Sequence, residues 1–566
     1  MRESIKIKEK LGEIAKQYGM LGTAKVEQPA EEGNGDWSTN LALVIAKQAG
    51  KQPLAVAEEI IALLGDDQEL ASCFGRIDTA GPGFINFYYQ QEYLGKQVRQ
   101  IANDLLYGSL DEGKGKTAVI EFSSPNIAKS MHVGHIRSTF IGWSLVKLYR
   151  KLGYTVIADN HLGDWGTQFG KLLDQYKRTY GTAVKELAVE ELEDLYVKWH
   201  QEAKDDPSRE ADARRETLAL QSGDPVNNKL WQQFVAESMK EFHYLYDRLG
   251  VKHDTELGES FFNKILPEVV TDAVAKGLAR ESEGAMVIFY PDNDLPPYLI
   301  QKSDKAYLYS TTDLATMKYR YETYHPDKII IVTGNEQALH FQQLFKASEL
   351  LGYAPGVGLA HVKAGLIISS SGQKFSSREG QVIKLKEIID EAVGRAKKII
   401  EEKNPELPDK DRIAEAVGIG SLFYNDLSQN RLTDISFDWN KMLDFSGNSA
   451  AYLQYTYVRL NSILEKAGSW ETAEVANYQP TELSIARELI QFPEAIARAG
   501  GECFPNLLAN YLYCLAVKVN GFYHELPVLG ETDSAMRGQR LVLCKAAANV
   551  LRSGLELLGI QTVERM

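Results

Sequence analysis

From about residue 115 the apolar positions switch between two periods. TAVIEF (Thr117 to Phe122) and YTVIAD (Tyr154 to Asp159) are continuous apolar runs of strand length. Between them HVGHIRSTFIGWSLVKLYRKLG carries apolar residues at helical spacing, and GTQFGKLLDQYKRTYG repeats that spacing after the second run. Strand, helix, strand with short links predicts a right-handed parallel unit. The alternation resumes with AMVIFY (Ala285 to Tyr290), DKIIIVTG (Asp327 to Gly334) and the helix NEQALHFQQLFKASELLG. This predicts half of a doubly wound parallel sheet, with a ligand crevice at the strand ends. From about 175 to 280 the pattern is charged and helical, clearest in AVKELAVEELEDLYVKWHQEAKDD, and reads as an insertion into the alternation.

The flanks have other textures. The first 110 residues open on an amphipathic helix and reach GPGFINFYY (Gly81 to Tyr89), where glycines and a proline precede a β-rich run. After LAHVKAGLIISSSGQKFSSREG, a strand running into a polar loop, comes the proline-bearing link EEKNPELPDKDR (Glu401 to Arg412). Beyond about 440 almost everything reads as helix. The expected organisation is a multidomain α/β + α chain. An N-terminal α+β module (1–110) precedes a Rossmann-type doubly wound parallel sheet domain (111–395) with a helical insertion near 175–280. A linker (396–440) leads to a C-terminal helical bundle (441–566).

Composition changes this picture little. At 566 residues the chain exceeds one core. No apolar run approaches a membrane span. The acidic residues of the opening helix (Glu3, Glu9, Glu13) argue against a transit peptide, so a cytoplasmic protein is expected. Cys73, Cys503, Cys514 and Cys544 form no C-x-x-C pair, which predicts neither a disulfide framework nor a structural zinc. The net charge of −14 argues against nonspecific coating of nucleic acid but leaves open a local basic face.

The candidate chemistry centres on SSPNIAKSMHVGHIRST, where His132 and His135 flank Val133 and Gly134. A helical zinc pair needs i, i+4 spacing and an intervening glutamate; this pair has neither, so no metal site is expected. Core packing remains a second reading. A third follows from location, after a strand and a turn at the start of a helix. There, unsatisfied N–H groups and the helix dipole suit phosphate, Gly134 lets a flat group approach, and imidazole N–H groups add donors. Lys129 adds a full charge. The loop SGQKFSSREG offers Lys374, hydroxyls and Arg378 downstream of the same frame; by itself such a loop is as well explained as charged surface. No P-loop is present.

With these residues in view, the chain resembles a known family. H-V-G-H is similar to the HIGH signature of class I aminoacyl-tRNA synthetases, and KFSSR (Lys374 to Arg378) to a degenerate KMSKS loop. EFSSPNIAKSMHVGHIRST, NHLGDWGTQFG, YSTTDLA, GNEQALHFQ and GPGFINF resemble arginyl-tRNA synthetases in particular, over nearly the full length. The resemblance implies activation of L-arginine with ATP and Mg²⁺, then transfer to tRNA(Arg), with activation itself requiring bound tRNA, in a monomer. It implies catalytic roles for Lys129, His132, His135 and Lys374, and ATP contacts at His132, Gly134, His135, Gly334, Lys374, Ser376 and Ser377. Arginine contacts would fall on Glu121, Asn126, Tyr309, Asp313 and Gln337. A planar cation with five donors suits two carboxylates and an aromatic face, here Glu121, Asp313 and Tyr309. Each also has a plainer reading, as a strand-end surface acid (Glu121), a helix cap (Asp313) or a core ring (Tyr309). Such a polar site rejects competitors strongly, so no editing domain is expected.

One departure stands out. Where the superfamily loop has its second lysine, this chain has Ser377, and Lys129 is expected to supply the missing charge from the other side. For RNA, the resemblance points to Asn86, Tyr89 and Gln91 as tRNA-elbow contacts, a ring and two amides suiting an unstacked base; a solvated strand edge explains them nearly as well. In the C-terminal bundle Tyr452, Tyr455 and Arg459 place rings beside a base, and Arg537, Arg540, Lys545 and Arg552 are candidate phosphate contacts, although core packing accounts for many of the aromatics. Two other readings stay open: a nucleotidyl transferase for a small acid, which needs no RNA-binding flanks, and a catalytically silent RNA-binding relative, which would lose the histidines or the acids.

Overall fold

The computed structural model describes residues 2–20, 24–29, 31–292, 294–368, 383–470 and 478–566. The chain forms two compact units, each built from three chain segments. One takes 1–109, 453–497 and 510–554; the other takes 110–452, 498–509 and 555–566.

The second unit holds a five-stranded sheet. Its strands are β1 (Thr117–Glu121), β2 (Thr155–Leu162), β3 (Thr255–Gly258), β7 (Lys328–Gly334) and β8 (Gly358–Ala364), in the order β8-β7-β1-β2-β3. All four pairings are parallel. Order reverses between β1 and β7, so a crevice opens at their C-terminal ends, where Glu121 and Gly334 stand. The continuous apolar runs are explained by burial on both faces: Val119, Ile120, Ile329 and Ile330 are all at most 1% exposed. Helix α1 (Ile136–Lys151) crosses from β1 to β2. Gly142 lets it press onto the end of the central strand β1, since a Cβ there would stand 2.1 Å from that of Phe122. Helices α2 (Thr167–Tyr180), α3 (Val189–Asp205), α4 (Ser208–Gln221) and α5 (Pro225–Leu249) follow β2.

Three expectations are corrected here. AMVIFY does not join the parallel sheet: Ala285–Ile288 (β5) is the middle strand of a separate antiparallel sheet between β4 (Ala279–Ser282) and β6 (Tyr298–Gln301). The stretch from 175 to 280 is not helical throughout, because TELG forms the edge strand β3. The helix expected from His132 starts at Ile136, after a 3₁₀ turn over Val133–His135. Helices α6 (Leu266–Ala275), α7 (Tyr309–Tyr324) and α8 (Ala338–Leu351) complete this core, followed by α9 (Leu385–Lys403) and α10 (Lys410–Leu427), which pack together.

The first unit contains a four-stranded antiparallel sheet, ordered Val26–Glu27, Trp37–Thr39, Phe84–Tyr89, Phe74–Ala80, with helices including Glu3–Gln17 and Gln91–Asn103. Most of the helices between Ala450 and Leu557 belong to it. Among the described residues no helix is long and apolar enough to cross a membrane.

Candidate active site

The loop leaving β1 is strained. Ser123, Ser124 and Ala128 all adopt positive φ (71°, 48° and 61°), a region that side-chain-bearing residues reach at a cost. The surroundings hold it there. Tyr246 OH lies 2.7 Å from Ser123 Oγ, Asn160 Oδ1 accepts the Ser124 N–H, and Ser238 Oγ accepts the Ala128 N–H at 2.8 Å. The loop ends in the histidine turn. His132 Nδ1 accepts the Gly134 N–H at 3.0 Å, and His135 Nδ1 accepts the His132 N–H at 3.1 Å. With both Nδ1 atoms accepting, the proton of each neutral ring sits on Nε2, making two donors of the pair. The ring centroids are 4.1 Å apart. Burial pushes His135 down to about 3, helped by the charge of His132. Burial also lowers His132, with Lys129 adding to the effect and Glu193 opposing it.

A cavity of about 1020 Å³ opens over these rings at the strand ends. It is lined by His132, Gly134 and His135 on one side, and by Gly334, Gln337 and His340 from β7 and α8 on the other. Glu121, Asn126, Glu259, Tyr309 and Asp313 complete the wall. Asn126 is stapled to the turn after β2, since Gly163 N–H donates to Pro125 and Ile127 N–H to Gly163.

The plainer readings of the acids do not hold. Glu121 is 8% exposed and accepts a 2.6 Å bond from Arg320 Nη2, which also holds Asp159; Arg320 itself is 2% exposed. Asp313 lies in the second turn of α7, past the cap, and faces His340 Nε2 at 2.7 Å. Tyr309 is 63% exposed, so it is no core ring, and its centroid is 5.0 Å from that of His340. A third acid, Glu259, escaped the sequence reading. It follows β3, and burial, with Asp313 and Asp164 adding, pushes its carboxyl up to about 8. The available signal was positional: like Glu121, it closes a strand, but TELG has no apolar run to reveal that strand.

Lys129 does not line the cavity; its ammonium lies 5.4 Å from the ring centroid of Tyr196 on α3. Lys374, Ser376, Ser377 and Arg378 fall outside the described residues. The chain immediately after them is tied to the histidine turn, as Val133 N–H donates to Ile383 and Leu385 N–H to Met131.

In the other unit, Asn86 and Tyr89 are 3% and 6% exposed, and Tyr89 OH accepts a bond from Trp37 Nε1. These two side chains are packed into the fold, and Gln91 is half-buried with its Oε1 accepting the Tyr478 N–H. Arg540 is corrected too: it is 3% exposed and held by Glu482 and Glu531, an internal pair and not a phosphate contact. Arg459, half-buried and donating to Asn520 Oδ1, sits 4.9 Å from the ring centroids of the exposed Tyr455 and Tyr523, while Tyr452 is half-buried.

A switch-point crevice with paired Nε2 donors on a strained loop suits a nucleotide whose phosphates gain charge as it reacts. The family model for tRNA synthetases class I (R), catalytic domain, matches residues 97–439. Models for the arginyl tRNA synthetase N terminal domain and the DALR anticodon binding domain match 4–89 and 453–566. The arginine–tRNA ligase of Fusobacterium nucleatum is 43% identical over 555 residues, covering 96% of each chain; that of Chloroflexus aurantiacus is 41% identical, covering 98% of this chain and 97% of its own. Among solved structures, arginyl-tRNA synthetase from Plasmodium falciparum superposes with a TM-score of 0.85 at 26% identity, over 100% of this chain and 99% of its own. The chain belongs to the arginyl-tRNA synthetase family.

Proposed function

We propose that the cavity joins L-arginine to ATP, releasing pyrophosphate, and that the arginyl group then passes to the terminal adenosine of tRNA(Arg), releasing AMP. The observation that carries this reading is the acidity of the cavity floor. Glu121, Asp313 and Glu259 face one space, and the Glu259 carboxyl, raised first by burial and then by Asp313 and Asp164, is a group whose ionised form a guanidinium would favour. Asp313 and Glu259 flank that guanidinium with Glu121 behind them, Tyr309 lies against it, and Asn126 and Gln337 hold the amino-acid end. In the first step the arginine carboxylate oxygen attacks the α-phosphorus and the bond to the leaving pyrophosphate breaks, so positioning and charge stabilisation carry the rate.

His132 and His135 donate from Nε2 to the triphosphate beside Gly134 and Gly334, and Lys129, Lys374, Ser376 and Ser377 add the remaining contacts. Among the described residues no group of three His, Cys, Asp or Glu gathers to hold a metal ion. Mg²⁺ would be held by the triphosphate oxygens and would supply charge neutralisation there. Activation waits for bound tRNA, gripped at its elbow by the N-terminal residues, Gln91 among them, and at its anticodon by the helical bundle, where Tyr455 and Arg459 offer a stacking surface. The enzyme acts in the cytoplasm as a monomer and without a separate editing site. Pyrophosphate exchange measured with each amino acid, with and without tRNA, tests the reading: arginine-specific, tRNA-dependent exchange is expected, and exchange with another amino acid, or none at all, overturns it.

A further inference from the structure

The G-D-W-G turn after β2 has no role in the scheme so far, yet its aspartate is among the more constrained groups near the cavity. Asp164 is 6% exposed. Its Oδ1 accepts the Ser260 N–H at 2.8 Å and its Oδ2 accepts the Ser260 hydroxyl at 2.6 Å. On the other side it abuts Gly258 so closely that a Cβ there would stand 2.2 Å from the carboxylate carbon. Its own carbonyl accepts Trp231 Nε1–H from α5 at 2.8 Å, which fixes the turn in place. Gly258 and Ser260 are the two chain neighbours of Glu259, so one carboxylate grips both sides of the residue that points into the cavity.

We infer that Asp164 is a positioning residue for the amino-acid pocket: by binding Ser260 and abutting Gly258 it fixes the direction from which Glu259 meets the substrate's guanidinium. The inference rests on the reading that a guanidinium enters between Asp313 and Glu259. A carboxylate accepting an N–H and an O–H is satisfied where it stands, so the turn cannot swing Glu259 away without breaking both bonds. Asp164 also acts at a distance. Its charge, after burial and Asp313, helps to raise the Glu259 carboxyl to about 8. The other titratable or charged groups lining the same cavity are Glu121 (paired with Arg320), Arg137 (paired with Asp426), Tyr309, Glu336, His132, His135, His161 and His340.

A guanidinium favours the ionised form of Glu259, so binding expels its proton below that value. The apparent KM for arginine should thus rise by about tenfold for each pH unit below the break. Pyrophosphate exchange with arginine varied, from pH 6 to 9, tests the inference in the full-length enzyme with tRNA present. Above the break, at pH 9, Asp164→Asn should raise the arginine KM by about tenfold, the scale of a lost charged hydrogen bond, and leave the ATP KM unchanged. It should also move the break to lower pH, because a neighbouring negative charge is gone. Ser260→Ala should raise the arginine KM less and leave the break in place. Neither should add to the defect of Glu259→Gln.

Equal effects on both substrates, an unmoved break in Asp164→Asn, or full additivity with Glu259→Gln would overturn the positioning role. If Asp164→Asn does not fold, additivity of Ser260→Ala with Glu259→Gln decides the matter. A Glu259→Gln enzyme with unchanged arginine KM would overturn the pocket reading itself, and this inference with it.

Discussion

At the scale of single residues, the histidine turn shows how a backbone sets side-chain chemistry. Main-chain N–H groups occupy both Nδ1 atoms, and burial keeps His135 neutral to about pH 3. His135 stability follows the same sign. A histidine whose pKa is lowered on folding costs nothing above its ordinary pKa, and it costs stability progressively as pH falls below that value. Ring nitrogen shifts followed by NMR should therefore show His135 as the Nε2–H tautomer with no titration between pH 8 and 5; a midpoint near 6.5 would contradict the assignment. Lys129 makes a different demand. It rests on the ring of Tyr196, outside the cavity lining, and in the proposed reaction it would have to leave that contact to meet the triphosphate. Lys129→Ala should lower arginine-dependent pyrophosphate exchange by about 100-fold, the effect of losing one preorganised donor, and wild-type exchange would remove it from the mechanism.

At the scale of elements, close approach between α1 and β1 is what places the histidine turn over the sheet crevice. Gly142 permits it, and Phe122, fully buried, occupies the space that a larger residue would need. Gly142→Ala should cost about 1–3 kcal/mol through overpacking, despite the better helix propensity of alanine, read as a lower urea midpoint for this unit. The same elements show what the sequence could reveal. β1, β2 and β7 were legible because strands buried on both faces must be apolar throughout. AMVIFY has the same texture, and nothing local distinguishes a run buried in a parallel sheet from one buried in an antiparallel one. β3 was hidden because an edge strand of four residues, T-E-L-G, carries no period, and Glu259 was hidden with it. Glu121 was legible as a pocket acid, but its partner Arg320 lies 199 residues away on a helix whose pattern gives no sign that a guanidinium is buried there. The burial of Asn86 and Tyr89 was hidden for a related reason: alternation along a strand tells two faces apart but does not say what covers each one.

At the scale of the molecule, the unit containing the N-terminus is closed by residues nearly five hundred positions away. Arg2 and Ser4 bind Glu494, Asp36 pairs with Arg487, and Asn549 donates to the carbonyls of Ile101 and Ala102. A chain truncated after residue 452 should therefore keep the parallel sheet but leave helices Glu3–Gln17 and Gln91–Asn103 poorly protected in hydrogen exchange; full protection there would show that the first segment folds alone. Translation meets the same constraint in time. The ribosome releases residues 1–109 first, at about 5–20 residues per second, and their partners follow roughly twenty seconds to a minute and a half later. Through that interval the earliest part of the chain must wait with open apolar faces, so the part made first is among the last to be finished and is where a nascent chain would most need a chaperone.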